Sequence, residues 1–571
     1  MKDASKYLQS VINNMSLDEK IGGLLTLGFA GTKPRKHIYE FITKYHCGGL
    51  RLSPTARLFG NYVSPTGEVI VDIASNHYLK SSQQPVVDGG EYKKTIMELQ
   101  TLAKSRKSGV PLHFSYDQEG GTSADFNFGG VSLFPKPMGL TATNDKNLCR
   151  KVAIAMSEQS LAVGFNYLHS PVLDVNTDPK NPEIYTRAYS DDVNTVIEYA
   201  RETCIGLKEA GMIATGKHFP GRGDSDVDAH YELPVIDVEY ETMINRELLP
   251  YKVLIAEDLL PSIMIAHSIY PAFDNENVAT VSHKIVTGLL REKLGFKGVI
   301  TTDSMTMGAL ALRYGVANAC AMSLVAGCDL ILMKAENSLV EETINKIKTF
   351  IYDGKLSVED IEEKLLRILK MKYEYGMFTT SKYNDVDVNK LINKSEYKVL
   401  ASDVGRKSIM DISESPIKTP IDVTKKTLVI EQMNKGVPNN SHWHYGYLYH
   451  KSLEYGLNAD YYEIDYVIDQ EDIDTIITLS SKYDRIIVTN FYVRSKSANN
   501  DFMLELQEKF AGDLLIITNT PYKLSTLDEM KHVILTFATT PPNIDSVCNY
   551  LFKGVEPLGQ WPLVHYPTKE G

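Results

Sequence analysis

Short apolar, β-branched segments alternate with longer amphipathic segments along roughly the first two thirds of the chain. Eight of them have the composition of buried strands, and they lie near Leu24, Gly48, Leu112, Asn166, Met212, Ser262, Gly298 and Leu330. Amphipathic helices are predicted between the later ones, over 193–209, 241–258 and 284–293. Strands that alternate regularly with helices indicate βαβ units and a parallel sheet. Eight repeats favour a closed (β/α)8 TIM-like barrel over an open sheet.

The last part of the chain has a different pattern. A helix predicted over 358–375 is followed by a polar stretch and a second helical segment. From about Lys418 new strand-like runs begin, which are TLVIEQ, DRIIVTNF, DLLIITNT and HVILTFAT, and helical stretches such as 497–510 separate them. We therefore predict an α/β protein in three parts: a (β/α)8 barrel over 1–380, a linker over 381–417, and a smaller α/β sandwich domain over 418–571.

Polar side chains follow most of the predicted barrel strands. They are Asp117, Asp174, Lys217, His218, His267, Asp303 and Lys334. Barrel enzymes build their active sites at the carboxyl ends of the strands, so we expect these side chains to converge on one rim. An isolated aspartate after a strand is most often the N-cap of the next helix, and that alternative stays open for individual positions.

The most informative segment is GKHFPGRGDSDVDAH, over residues 216–230. Its charged residues begin where the strand MIATGKHF ends, and a strand cannot continue through PGRG, so a loop must follow. Long polar loops on rigid strands often carry catalytic groups. A solvated acidic loop explains any single aspartate here, but it does not explain the whole cluster.

Composition excludes several classes of protein. The chain has 571 residues, 43% hydrophobic residues and a net charge of −12, which argues against a nucleic-acid-binding protein. Apolar runs stay far below the roughly 20 residues that span a bilayer. The first 20 residues lack the apolar core of a signal peptide. The six cysteines form no CxxC pair and no dense framework, so we expect buried thiols and a cytoplasmic protein.

Two further segments leave their interpretation open. The stretch 51–94 is rich in Pro, Gly, Ser and Asn, and it either borders the site or is a surface excursion. The patch SHWHYGYLYH places His442, His444 and His450 close together. A carboxylate or cysteine cluster that would complete a metal site is missing from its neighbourhood, so we favour an aromatic surface or interface over metal binding.

Several motifs, taken in order, resemble glycoside hydrolase family 3, and in particular its two-domain β-N-acetylhexosaminidase members. The matching motifs are SLDEKIGGLLTLGFAGT, YDQEGG, LFPKPMGL, SPVLDVNTDPKNPEIYTRAYS, ATGKHFPGRGDSDVDAHYELP, MIAHSIYPAFD and LLREKLGFKGVITTDSMTMGAL. The resemblance covers most of residues 1–375. The match of the C-terminal region is looser and rests on its architecture and the closing LFKGVEPLGQWPL.

The resemblance implies a catalytic apparatus that the residue types can support. Asp303 matches the carboxylate nucleophile of a retaining glycosidase, and a short side chain at a strand end is held rigidly. Asp228 and His230 match a His–Asp acid/base dyad, in which the carboxylate orients the imidazole and stabilises its protonated form. The alternatives are an N-cap role for Asp303 and a surface position for His230.

The same resemblance implies the sugar-binding residues. Asp117, Arg187, Lys217 and His218 match positions that hold the hydroxyls of a terminal sugar, and His267 is expected on the same rim. Two departures concern recognition: Thr122, Ser123 and Ala124 follow Gly121 where the family often has arginine, and Arg222 stands where many relatives have histidine. We count Arg222 among the candidate substrate-binding residues.

The sequence therefore predicts a cytoplasmic exo-β-N-acetylglucosaminidase that retains configuration and needs no cofactor or metal. Its expected substrate is a terminal β-linked GlcNAc on a cell-wall-derived saccharide, a muropeptide or a chitin oligosaccharide, with no nucleic-acid or membrane partner. Two alternatives stay open: a β-N-acetylglucosaminide phosphorylase, since a histidine acid/base eases attack by anionic phosphate, and a catalytically inactive carbohydrate-binding protein. The sequence leaves the aglycone and the oligomeric state undecided.

Overall fold

The computed structural model describes residues 2–54, 88–229, 232–333, 338–432, 446–493 and 498–566. Eight parallel strands close into a barrel in which each strand pairs with its neighbours in chain order and β8 pairs with β1. They are β1 (Leu25–Ala30), β2 (Gly49–Ser53), β3 (His113–Tyr116), β4 (Tyr167–Leu168), β5 (Ile213–Phe219), β6 (Ser262–Ile265), β7 (Val299–Ser304) and β8 (Leu330–Met333). All eight predicted barrel strands are confirmed.

Helices pack around this barrel and before its first strand. The α-helices are Lys2–Asn13, Leu17–Gly23, Lys36–Thr43, Gly89–Lys104, Pro137–Ala142, Lys146–Val163, Val193–Ala210, Tyr240–Thr242, Leu249–Ala256, Gly308–Tyr314, Val316–Ala326, Leu339–Tyr352 and Val358–Glu374. Local sequence fixes several of their starts. Ser16 and Glu19 form a capping box at one of them, and Asp192 accepts a hydrogen bond from the Thr195 amide at another.

The helix predicted over 241–258 is not continuous. The structure has a short helix Tyr240–Thr242, a π-helical segment Met243–Glu247 and a helix Leu249–Ala256. Pro250 explains the break, because proline lacks the N–H that would bond to the carbonyl of residue 246 and its ring clashes with that carbonyl. The segment Lys284–Lys293 is π-helical as well, and 3₁₀ turns occur at Tyr185–Arg187 and Ala279–Val281.

A six-stranded sheet forms the second domain. Its strands are β9 (Met410–Asp411), β10 (Thr427–Gln432), β11 (Ala459–Ile464), β12 (Arg485–Asn490), β13 (Asp513–Thr518) and β14 (Val533–Leu535), in the order β9-β14-β13-β12-β10-β11. The short edge strand β9 pairs antiparallel to β14, and the other pairs are parallel. Its helices are Tyr447–Glu454, Gln470–Ser480, Asn500–Lys509 and Pro541–Lys553. Two more helices, Val388–Ile392 and Ser395–Ser408, lie in the segment expected to be a linker.

The second domain contacts the barrel close to its carboxyl rim. A buried cluster joins the two, formed by Met138, Ala142, Tyr185, Tyr492, Tyr522, Leu535, Phe537 and Leu563. The Tyr185 and Tyr492 rings meet edge to face, with centroids 5.2 Å apart. The Tyr492 hydroxyl also donates to the Pro182 carbonyl at 2.9 Å. The loop after β4 is therefore supported by the second domain.

The C-terminal tail is fastened to the same loop by Asp191. The buried Asp191 carboxylate accepts hydrogen bonds from the backbone amides of Val564, His565 and Tyr566 at 2.8, 2.9 and 2.8 Å. The Ser190 hydroxyl donates to the Pro562 carbonyl at 2.8 Å. One carboxylate thus holds a whole turn of the tail against the barrel.

Replacing Asp191 by alanine is expected to release the tail. Three backbone amides lose their acceptor, so the free energy of unfolding should fall by about 2–4 kcal/mol. Denaturant unfolding measures the loss, and hydrogen exchange should rise in the amides of the tail. The exposed Asp237→Ala is the matched control and should change neither quantity. Unchanged exchange in the tail of Asp191→Ala would contradict the assignment.

Other predictions from the sequence concern membranes, cysteines and metals. Within the described part of the chain, none of the helices combines the length and apolar composition that crossing a bilayer requires. All six cysteines are buried thiols. The described residues contain no group of three His, Cys, Asp or Glu side chains suited to a metal ion. His450 lies in the helix Tyr447–Glu454, whereas His442, His444 and most of the 51–94 stretch lie outside the described residues.

Candidate active site at the carboxyl rim of the barrel

The parallel strands bring the predicted rim residues to one end of the barrel. Asp117 directly follows β3, and Asp303 is the penultimate residue of β7. Lys217 and His218 lie near the end of β5. Arg187 reaches the same place from the loop after β4. Lys334 lies outside the described residues. The rim is therefore the candidate active site, as in other barrels of this type.

Glu119 is the centre of a buried ion cluster on this rim. Its carboxylate accepts hydrogen bonds from Arg187 Nε and Nη2 at 2.7 and 2.9 Å, and Lys217 Nζ lies 2.6 Å from it. Lys217 also donates to Asp117 Oδ1 at 3.1 Å. Burial raises the pKa of Glu119, but Arg187 and Lys217 outweigh burial and hold that pKa well below its ordinary value. Fixed, paired charges therefore line this side of the site.

The Asp117 side chain contacts buried charged residues and remains partly exposed on the rim. Arg51 Nη2 lies 2.5 Å from Asp117 Oδ2 and 2.6 Å from Asp125 Oδ2. The Asp117 amide donates to Asp125 Oδ2 at 2.7 Å. The Asp117 side chain is 24% exposed, whereas that of Arg51 is only 2% exposed. Its partly exposed carboxylate can therefore accept hydrogen bonds from a ligand.

His218 is oriented by Asp174. The two side chains meet at 2.7 Å, between His218 Nδ1 and Asp174 Oδ2, while Asp174 Oδ1 accepts the Arg222 amide at 2.7 Å. Burial and the nearby Arg222 lower the pKa of His218 in spite of this carboxylate. A neutral ring with its proton on Nδ1 satisfies Asp174 and leaves Nε2 as an acceptor, with Arg187 Nη2 3.5 Å away.

Arg222 and Glu183 form a buried pair between the loop and the nucleophile candidate. Arg222 is 1% exposed, and its Nη2 contacts Glu183 Oε1. Its Nη1 lies 4.0 Å from Asp303 Oδ2. The chain passes tightly here, because a Cβ at Gly223 would lie 1.6 Å from the Val175 carbonyl oxygen. Only glycine fits after Arg222, and this fixes the direction in which the arginine leaves the backbone.

Asp303 is the partly exposed carboxylate beside this pair. Its side chain is 17% exposed, and its Oδ1 accepts the Ser304 amide at 2.7 Å. Burial alone raises its pKa, but His267, His218, Arg222 and the Ser304 amide outweigh burial, and the pKa lies well below its ordinary value. Asp303 is therefore an anion throughout the neutral and mildly acidic range.

His267 borders Asp303 from the buried side and does not reach the open rim. The residue is fully buried, with Nδ1 2.6 Å from Thr280 Oγ1 and Nε2 3.1 Å from the Ser304 carbonyl oxygen. Since a carbonyl oxygen only accepts, Nε2 carries a proton. Protein groups engage both ring nitrogens, so in this arrangement His267 supports the strand end of Asp303 and has no nitrogen left for a sugar hydroxyl.

Asp228, one of the two acid/base candidates, lies on the loop that follows β5. Asp228 is 7% exposed, and the next residue, Ala229, donates its amide to Glu183 Oε2 at 3.3 Å. Glu183 thus contacts both Arg222 and this part of the loop. His230 lies outside the described residues.

The structure adds Arg51, Glu119, Asp125, Asp174 and Glu183 to the residues expected in the site. The sequence predicts Asp174 at a strand end on this rim but assigns it no specific role. A sequence signal existed for Glu119: it lies two positions after Asp117, and a period of two puts both on one side of an extended chain. No comparable signal marked Glu183, which comes from an irregular loop.

Comparisons with known proteins find similar sequences and a similar structure. Residues 16–371 match the family described as Glycosyl hydrolase family 3 N terminal domain. Beta-hexosaminidase A of Pseudoalteromonas piscicida is 32% identical over 294 residues, which are 48% of this chain and 49% of that protein. Beta-hexosaminidase of Glaesserella parasuis serovar 5 is 34% identical over 253 residues, 44% of this chain and 73% of that protein. The chain thus spans about half the length of the first relative and more of the second.

A solved structure matches nearly the whole chain. It is the glycoside hydrolase family 3 beta-N-acetylglucosaminidase from Paenibacillus sp. str. FPU-7, with a TM-score of 0.81 and 26% identity. The match covers 96% of this chain and 99% of that one. Both the barrel and the second domain therefore have counterparts in one known protein.

Proposed function

Because the chain belongs to glycosyl hydrolase family 3, we propose that it is an exo-β-N-acetylglucosaminidase that hydrolyses terminal β-linked GlcNAc with retention of configuration. The proposed substrates are cell-wall-derived or chitin-type saccharides, and the proposed site of action is the cytoplasm. The relatives named beta-hexosaminidase and beta-N-acetylglucosaminidase support the sugar specificity. The chain's own residues support the chemistry.

The observation that carries the proposal is the position of Asp303, which lies at the end of β7 and is partly exposed on the rim. A retaining glycosidase needs an ionised carboxylate that faces the anomeric carbon. Asp303 is held rigidly by its strand and by the Ser304 amide, and its low pKa keeps it anionic. Its partial exposure leaves one edge of the carboxylate open to a substrate. In the proposed first step the carboxylate attacks the anomeric carbon while the glycosidic oxygen departs with a proton.

We assign that proton to His230, with Asp228 as its partner. An imidazole that titrates near neutrality can donate a proton to the leaving oxygen and later accept one from water. Asp228 precedes His230 by two positions, which is close enough for an aspartate to orient the ring within one turn. The contact between Glu183 and Ala229 supports this role, because it anchors the loop directly beside both residues.

Sugar recognition is assigned to Asp117, Arg187, Lys217 and His218. Carboxylate, guanidinium, ammonium and imidazole groups together match hydroxyls that both donate and accept hydrogen bonds. Their mutual ion pairs fix their positions before the sugar arrives, which favours binding. Most of these side chains are nearly buried, and this suits a narrow pocket for one terminal residue and hence exo action.

Release of nitrophenol from the β-GlcNAc and β-glucose aryl glycosides tests the proposal, each measured with and without phosphate. We expect turnover of the GlcNAc glycoside, little of the glucoside, and no stimulation by phosphate. Phosphate-dependent turnover with a sugar 1-phosphate as product would replace the hydrolase by a phosphorylase. Binding of GlcNAc without turnover of either glycoside would indicate an inactive carbohydrate-binding protein.

A further inference from the structure

Arg222 has a guanidinium nitrogen that the surrounding protein does not satisfy. By hydrogen-bond geometry neither Nη1 nor Nη2 has a partner among the residues that the structure describes, although Nη2 is in ion-pair contact with Glu183. The side chain is 1% exposed, so water does not compensate in the way it does at a surface. Leaving a buried charged donor without an acceptor is costly, and such groups commonly mark functional sites. Nη1 lies 4.0 Å from Asp303 Oδ2, at ion-pair distance but too far for a hydrogen bond.

Among the described residues, four titratable or charged side chains act on Asp303, and they come from four elements. They are His169 after β4, His218 in β5, Arg222 on the loop after β5, and His267 after β6. Burial lowers the pKa of His169 to about 3, so this ring is neutral near Asp303. Burial also lowers the pKa of His218. Among the four, Arg222 is the group whose positive charge does not depend on pH over the working range.

We propose that Arg222 is a positioning residue for the nucleophile: its free Nη1 holds the Asp303 carboxylate in its anionic form and in one orientation toward the sugar. This inference rests on the proposed function, because it assumes that Asp303 attacks the anomeric carbon. Arg222 acts through Asp303 and takes no part in bond making. Glu183 has the complementary task, since its contact with Nη2 keeps the guanidinium in place.

The pH dependence of the reaction follows from this arrangement. The reaction requires ionised Asp303, so activity is lost as the pH falls through the pKa of that carboxyl. His267, His218 and Arg222 together hold this pKa well below its ordinary value, and the acid limb of kcat/KM lies correspondingly low. Removing the positive charge of Arg222 raises the pKa of Asp303, so activity begins to fall at a higher pH. A positive charge at this distance lowers the pKa of a carboxyl group by about 1–3.

The experiment compares pH profiles of kcat/KM for an aryl β-GlcNAc glycoside. Arg222→Gln removes the charge, Arg222→Lys keeps it, and Glu183→Gln removes the partner while Arg222 remains. We expect the acid limb of Arg222→Gln to move upward by at least about one pH unit. For Arg222→Lys and Glu183→Gln, the acid limb of the kcat/KM profile should stay close to that of the unmodified protein. Because Arg222→Gln takes the nearer of two cations away from the buried Glu183 and leaves only Arg187, whose Nη1 lies 3.7 Å from Glu183 Oε1, Arg222→Gln/Glu183→Gln is measured as well, and the same upward shift is expected there.

The outcomes separate this inference from the function on which it rests. The inference would be overturned if kcat/KM fell equally in Arg222→Gln and Arg222→Lys while the acid limb moved in neither. Arg222 would then only support the fold. Covalent labelling of the unmodified enzyme by a 5-fluoro β-N-acetylglucosaminyl fluoride is the independent check. If Asp303 is labelled in the unmodified enzyme and the acid limb of Arg222→Gln does not move, the inference alone fails. If another residue is labelled, the proposed function and the inference fail together.

Discussion

Replacing Asp303 by alanine is expected to reduce kcat for the aryl β-GlcNAc glycoside by about 10⁴-fold or more, because the covalent intermediate then has no residue on which to form. The fold should survive, since alanine is smaller and the strand β7 keeps its backbone hydrogen bonds. Steady-state kinetics measures the loss, and thermal unfolding checks that the protein remains folded.

Rescue by azide distinguishes a nucleophilic role of Asp303 from a merely structural one. In Asp303→Ala the small anion can enter the space of the missing carboxylate and attack the anomeric carbon from the same face. The expected product is a glycosyl azide of α configuration, with restored release of the aglycone. Asp303→Glu is the matched control, because it keeps the charge but displaces it by one methylene, and azide should not restore its activity. A β-configured azide product in Asp303→Ala would assign the attacking role to another group.

The second large effect is expected at the acid/base dyad. Replacing His230 by alanine should slow hydrolysis of substrates with poor leaving groups by about 10²–10⁴-fold, because the departing oxygen then receives no proton. Glycosides with a highly acidic phenol as leaving group need no such proton, so formation of the glycosyl-enzyme from them should be much less affected. The ratio of kcat/KM for the two kinds of substrate is the measurement.

Asp228→Asn separates the two members of the dyad. The asparagine keeps the size of the side chain but cannot stabilise an imidazolium, so the loss should be smaller than in His230→Ala and the basic limb of kcat/KM should move to lower pH. Equal kcat/KM losses for good and poor leaving groups in His230→Ala would rule out proton donation by His230.

The barrel could be predicted because its strands are apolar runs that helices separate at regular intervals. The limits of single strands were harder to place. Residues 166–175 looked like one long strand, yet β4 comprises only Tyr167–Leu168, because Pro171 cannot donate a ladder hydrogen bond. The edge strand β11, with the sequence ADYYEI, was missed because it is only partly buried and its composition is mixed. Strand β9 has two residues, too few for any pattern.

The site was predictable where chemistry coincides with a strand end, as for Asp117, Lys217 and Asp303. Contacts between charged side chains that come from distant segments of the chain were not predictable. Glu119 and Arg187 are 68 positions apart and pair only because two loops converge over the barrel. The contact of Arg222 with Glu183 likewise depends on the path of the loop after β4, which the second domain supports through Tyr492. Periodicity carries no information about such contacts.

The most direct test of the central claim is to trap the glycosyl-enzyme and identify the labelled residue. The unmodified protein would be incubated with the 5-fluoro β-N-acetylglucosaminyl fluoride, digested, and sequenced by mass spectrometry. We predict one added 5-fluoro-N-acetylglucosaminyl group per chain, with the anomeric fluoride as leaving group, on Asp303 in the peptide that contains GVITTDSM. A label on a different carboxylate, or turnover of the reagent with inversion and without a trapped intermediate, would contradict the account.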